Sequence, residues 1–91
     1  MALTPAEIRA RVIREISDFS GHPVDIVEQL QKLKTALGFT REMLRALSAP
    51  FERIARESNP NAQITMAVCE KLKTVNEADA LVQAKSKGEL A

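Results

Sequence analysis

Few residues in this chain have the types and spacing that chemistry requires. His22 is the single histidine and sits in Gly21-His22-Pro23, a turn by composition, where a surface histidine without a task is the expected reading. Cys69 is the single cysteine, which excludes an intramolecular disulfide and any cysteine-based zinc cage. A reactive thiolate needs exposure and a lowered pKa. Cys69 instead stands at helical spacing with Met66 and Leu72, the pattern of a small core residue, and spacing places no general base beside it. Asp25, Glu28 and Asp79 form no recognisable metal-ligand set. Neither a catalytic residue nor a metal site is expected, and the chain does not read as an enzyme. The residues of interest gather instead at one junction, Leu37-Gly38-Phe39-Thr40-Arg41-Glu42-Met43-Leu44.

The elements that flank this junction follow from apolar periodicity and capping residues. Thr4-Pro5-Ala6-Glu7 combines a capping threonine, a proline suited to the first turn and a glutamate three residues on. Ile8, Val12, Ile16 and Phe19, widened by Ile13, then recur at helical spacing. Gly21 and Pro23 end that helix. A second helix is expected within Val24 to Leu37, with Val27, Leu30, Leu33 and Leu37 on its buried face and Gly38 as its stop. Thr40 opens a third, with Met43, Leu44, Leu47, Phe51 and Ile54 inward. Pro50 would cost about 3 kcal/mol in a regular helix interior. That helix should therefore kink, or break near Ala46 to Ala49 and restart with Pro50 in its first turn. Glu57 to Asn61 reads as a loop. Met66, Val68, Cys69 and Leu72 suggest a short helix of about two turns. Thr74-Val75-Asn76-Glu77 is a second capping box, leading a last helix with Val75, Ala78, Leu81 and Val82 buried. No internal repeat or low-complexity block is expected.

Ninety-one residues, about 45% apolar with three phenylalanines as the only aromatics, suffice for one modest core. A core of Leu, Ile, Val, Ala and Met favours helices over a β-sandwich. The expected fold is all-α, a small bundle of four or five helices. Residues 5–84 would form its single domain, between an N-terminal tail (1–4) and a fraying C-terminal tail (85–91). Thirteen basic residues against twelve acidic ones give a net charge of +1, without the basic excess of a non-specific phosphate binder. No apolar run approaches the ~20 residues that span a bilayer. The first residues lack the pattern of a secretory signal, so no membrane association and a cytoplasmic location are expected.

Glu70-Lys71-Leu72-Lys73-Thr74-Val75, followed by Ala78, Leu81 and Val82, resembles the end of an acyl carrier protein, where a short third helix runs through a threonine-valine cap into the last. The distance from the first helix to Leu37-Gly38 is also similar to that family's spacing before its leucine-glycine signature. The resemblance covers most of residues 5 to 84, with about five extra residues around Pro50 to Asn61. It implies an acyl-carrier-protein-like bundle. In that family a serine at the start of the second major helix carries phosphopantetheine. Here Arg41 occupies the matching position and has no hydroxyl to receive the arm. Thr40 lies one position early and suits an N-cap. Ser48 is about two turns further on.

The resemblance thus points to a carrier-like domain without its own phosphopantetheine, acting through another protein in, or derived from, an acyl-transfer or biosynthetic system. Phe39, Arg41, Met43 and Arg45 are the candidate partner contacts, and no cofactor is expected. A genuine but divergent carrier would have phosphopantetheine on an unrecognised hydroxyl, with Thr40 as the attachment candidate. The expected recognition helix mixes Arg41, Arg45, Arg53 and Arg56 with Glu42, Glu52 and Glu57, whereas the family's is acidic; complementary charge sets partner choice. A third reading takes Leu37 to Leu44 as leading into a helix-turn-helix, with Arg53, Arg56, Asn59 and Asn61 meeting DNA. Glu52 and Glu57 would repel the same phosphates, and nucleic acid is not the preferred partner.

Overall fold

Thr4 begins the first helix as its neighbours predict. In the computed structural model, which describes residues 3–88, the Glu7 N–H donates to Thr4 Oγ1 at 3.2 Å and the Thr4 N–H donates to Glu7 Oε1 at 2.9 Å. This reciprocal cap satisfies two backbone donors that the first turn would otherwise leave without partners. Helix α1 runs from Pro5 to Ser20, and Gly21 closes it in the left-handed conformation (φ 79°), with its N–H donating to the Ser17 carbonyl at 2.9 Å. A side chain at that φ would be strained, which is why glycine stands there.

Helix α2, Val24–Leu30, is shorter than the apolar pattern predicts. It stops at Gln31, whose φ of 63° and ψ of −49° form a γ-turn closed by the Lys32 N–H donating to the Leu30 carbonyl at 2.6 Å. Three hydrogen bonds, two of them to distant residues, hold this costly conformation. The Gln31 carbonyl accepts from the Val75 N–H at 2.9 Å, its Oε1 accepts from the Asn76 N–H at 3.0 Å, and its Nε2 donates to the Glu28 carbonyl at 2.7 Å. The expected face changes accordingly. Val27, Leu33 and Leu37 are buried, whereas Leu30 is 41% exposed. Residues 33 to 36 form turns, Leu37 bends, and Gly38 (φ 77°) takes a left-handed conformation just before the junction.

The third segment breaks where proline chemistry requires. Helix α3 spans Arg41–Ala46 and helix α4 spans Ser48–Arg56, joined through Leu47. Pro50 lies in the first turn of α4, where its missing N–H costs nothing, while its ring would collide with the Ala46 carbonyl in a continuous helix. The pair acts as one bent rod, with Leu44, Leu47, Pro50, Phe51, Ile54 and Ala55 buried. Helix α5, Met66–Glu70, has five residues rather than two turns. Helix α6, Val75–Ser86, starts from Thr74, whose Oγ1 accepts from the Glu77 N–H at 3.1 Å. The expected capping box is half formed: Glu77 Oε1 accepts from the Lys73 N–H at 2.9 Å rather than from Thr74.

These six helices make an all-α bundle, five packed units once α3 and α4 are counted as one rod. Helix α1 packs on α2, α4 and α6, α4 on α6, and α3 on α5. One cluster, from Ile8, Val12 and Ile16 through Leu33, Leu44 and Phe51 to Val75, Ala78 and Val82, forms the core. The radius of gyration, 11.9 Å, matches the ~12 Å of a folded chain this long. Both expected tails begin further out than predicted. The Leu3 N–H donates to Ser58 Oγ at 2.9 Å, and Leu3 packs on the core. Helix α6 continues past residue 84 because Asn59 Nδ2 donates to the Lys85 carbonyl at 2.9 Å and Ser86 Oγ to the Val82 carbonyl at 2.7 Å. Residues 1–2 and 89–91, the rest of those tails, lie outside the described residues. No helix among the described residues is long and apolar enough to cross a membrane.

Candidate functional site

The junction is built as a joint. The Phe39 N–H donates to the Leu33 carbonyl at 2.9 Å, so the chain turns back on itself before α3 begins. Thr40 then caps α3: its Oγ1 accepts from the Met43 N–H at 3.2 Å, and its carbonyl accepts from the Leu44 N–H at 3.0 Å. The threonine oxygen thus satisfies one of the backbone donors at the helix start.

Arg41 follows, exposed on the first turn. Its Nε donates to Glu70 Oε1 at the end of α5, and Arg45 Nη1 donates to the same oxygen at 3.1 Å. Two guanidinium groups one helical turn apart therefore converge on one carboxylate, clamping α3 to α5. The Arg41 hydrogen bond, assisted by Arg45, holds the Glu70 carboxyl below the usual carboxylate range, and Glu70 in turn raises Arg41. The sign follows from linkage. The unfolded Glu70 binds a proton more readily, so the clamp stabilises the fold above the ordinary carboxylate pKa and is lost as pH falls through the lower folded value. Glu70→Gln should therefore be less stable than the parent at pH 7, with the two urea midpoints converging below about pH 4. A constant gap down to pH 3 would show that the clamp carries no charge-dependent stability.

The predicted contact residues separate. Phe39, expected at a partner contact, is 4% exposed, its ring in the core beneath the turn, and so offers no surface to another chain. Phe51 is fully buried. Met43 and Arg45 are half-buried and Arg41 is exposed, so these three remain accessible along α3. On neighbouring α5, Met66 and Val68 are 50% and 40% exposed, although the sequence pattern grouped them with the buried Cys69 and Leu72. A helix of five residues is too short for a three-four repeat to reveal its buried side. Their exposure places apolar surface on the helix that the two arginines grip.

The other reactive groups do not converge. Burial pushes the Cys69 thiol up to about 11, so it is a protonated core side chain. The His22 carbonyl accepts from Ser17 Oγ at 2.6 Å and the His22 N–H donates to Ser20 Oγ at 3.2 Å, so two serine hydroxyls at the end of α1 pin its backbone. No group of three or more His, Cys, Asp or Glu side chains among the described residues could hold a metal ion. The helix-turn-helix geometry is not met either. Helices α3 and α4 are joined through Leu47 alone, short of the three- to four-residue turn such a motif uses. Arg56 Nε donates to the Ala62 carbonyl at 2.9 Å, and Asn59 Nδ2 is committed to α6. Comparison with family models, curated proteins and solved structures finds no match to this chain.

Proposed function

We propose that this chain is a carrier-like helical bundle without its own phosphopantetheine, acting by protein–protein contact in, or derived from, an acyl-transfer or biosynthetic system. The order of elements supports the reading: a long first helix, a Leu37-Gly38 turn, a second major rod, a short helix and a threonine-valine cap into the last helix. The single observation that carries it is the position of Arg41. At the start of α3, where the resembling family has its serine, the side chain is a guanidinium bound to Glu70. The residue before it, Thr40, uses its oxygen to cap the helix. The absence of a hydroxyl on Arg41 and the engagement of the Thr40 oxygen in the cap support a domain without its own arm.

The contact surface in this reading is the face of α3 and α5. Arg41 and Arg45, which share Glu70, leave it one net positive charge between the three groups, and Met43, Met66 and Val68 give it apolar area. Charge complementarity sets the register of an encounter while desolvated apolar side chains hold it. Incubation with a broad-specificity phosphopantetheinyl transferase and coenzyme A should leave the intact mass unchanged. A gain equal to the arm, mapped to Thr40 or any other hydroxyl, would replace this reading with that of a genuine carrier.

A further inference from the structure

Against the expectation of no internal repeat, the tetrapeptide Lys-Leu-Lys-Thr occurs twice, at 32–35 and at 71–74, and the fold sets the two copies side by side. The Leu33 N–H donates to the Lys73 carbonyl and the Val75 N–H to the Gln31 carbonyl, both at 2.9 Å, forming an isolated antiparallel bridge between Lys32 and Thr74. In each copy the leucine turns inward, Leu33 at 0% and Leu72 at 8% exposure, while the lysines on either side are exposed. Lys32, Lys34, Lys71 and Lys73, with Thr35 and Thr74, line one cleft of about 600 Å³.

Four of the chain's six lysines are gathered there, and they are not used in ion pairs. Among the described residues every ion pair is made by an arginine. Two carboxylates also border the cleft: Glu70 is paired with Arg41 and Arg45, and Glu77 accepts from the Lys73 N–H and keeps its charge. Four lysines against that one unpaired carboxylate leave the cleft net positive.

We propose that this cleft binds a small, soluble, phosphate-bearing molecule, independently of any carrier-like role. Arginine's planar fork matches carboxylates, and here it is so employed. Lysine ammoniums are compact charges with rotatable donors that suit phosphate oxygens, and a threonine hydroxyl adds a donor. The volume lies within the ~300–1,000 Å³ of small-molecule sites. Leu72 and the lysine methylenes provide an apolar wall for the remainder of such a molecule.

Inorganic pyrophosphate titrated into the folded chain at physiological salt, followed by amide NMR, tests this. The expected result is saturable one-to-one binding, with shifts concentrated at 32–35 and 71–74. Lys32→Gln/Lys73→Gln should weaken it by about tenfold or more, with helical content unchanged by circular dichroism. Arg14→Gln/Arg53→Gln, which removes the same charge from the α1–α4 surface, should leave the affinity as it was. Non-saturating shifts spread over all basic residues, or equal losses in both double variants, would overturn the assignment. Saturation only by a poly-glutamate peptide would reassign the cleft to an acidic protein segment, and binding only to vesicles containing phosphatidic acid would reassign it to a membrane surface.

Discussion

Phe51→Ala is expected to lower the unfolding free energy by about 3–5 kcal/mol. Phe51 is fully buried and the largest side chain to be so. It stands in the first half of α4, the rod that packs on both α1 and α6. Removing the ring takes away its transfer free energy and leaves a cavity that three rigid elements cannot collapse to fill. A domain of this length has a total stability of only about 5–14 kcal/mol, so the loss is a large share of what holds it folded. Urea unfolding should show a much lower midpoint with the slope unchanged. Phe51→Leu, which keeps most of the volume, should recover much of the loss. A cost below about 1 kcal/mol for the alanine variant would mean that α4 does not seat its ring in the core.

Leu33→Ala should cost about 2–5 kcal/mol, whereas Leu30→Ala should cost less than about 1 kcal/mol. The apolar spacing alone assigns both leucines to one buried stripe. The γ-turn at Gln31 separates them: Leu33 is fully buried and Leu30 is 41% exposed. Leu33 is also fixed through its backbone, with its N–H on the Lys73 carbonyl and its carbonyl on the Phe39 N–H. It therefore ties the lysine cleft to the turn before α3. The contrast between the two variants, measured by the same urea titration, is the decisive quantity. Equal costs would show that α2 continues as a helix to Leu37 and that the Gln31 turn does not form.

The same contrast marks how much of the candidate site was legible in advance. The capping role of Thr40 was readable, because its bond to the Met43 N–H closes over three residues. Arg41 could be recognised as a residue without a hydroxyl, but not as one end of a clamp, since Glu70 lies on another helix. The sequence leaves Phe39 open to core packing, the commoner outcome for such a residue, or to a partner contact. Only the fold beneath it places its ring inside. Exposed Met66 and Val68 were hidden by the shortness of their helix, and the lysine cleft by the distance between its two halves.

What the sequence by itself determined is local. The reciprocal cap of Thr4 and Glu7, the glycine stop at Gly21, the helix starts at Thr40 and Thr74 and the break around Pro50 all depend on groups within a few residues of one another. The tertiary structure decided where α2 ends, which leucines lie inside and which charges meet. Those outcomes rest on bonds such as Gln31 to Val75 and Asn76, Leu33 to Lys73 and Arg41 to Glu70. Each joins segments that are far apart along the chain, and such bonds form only once burial of the shared core has brought those segments together.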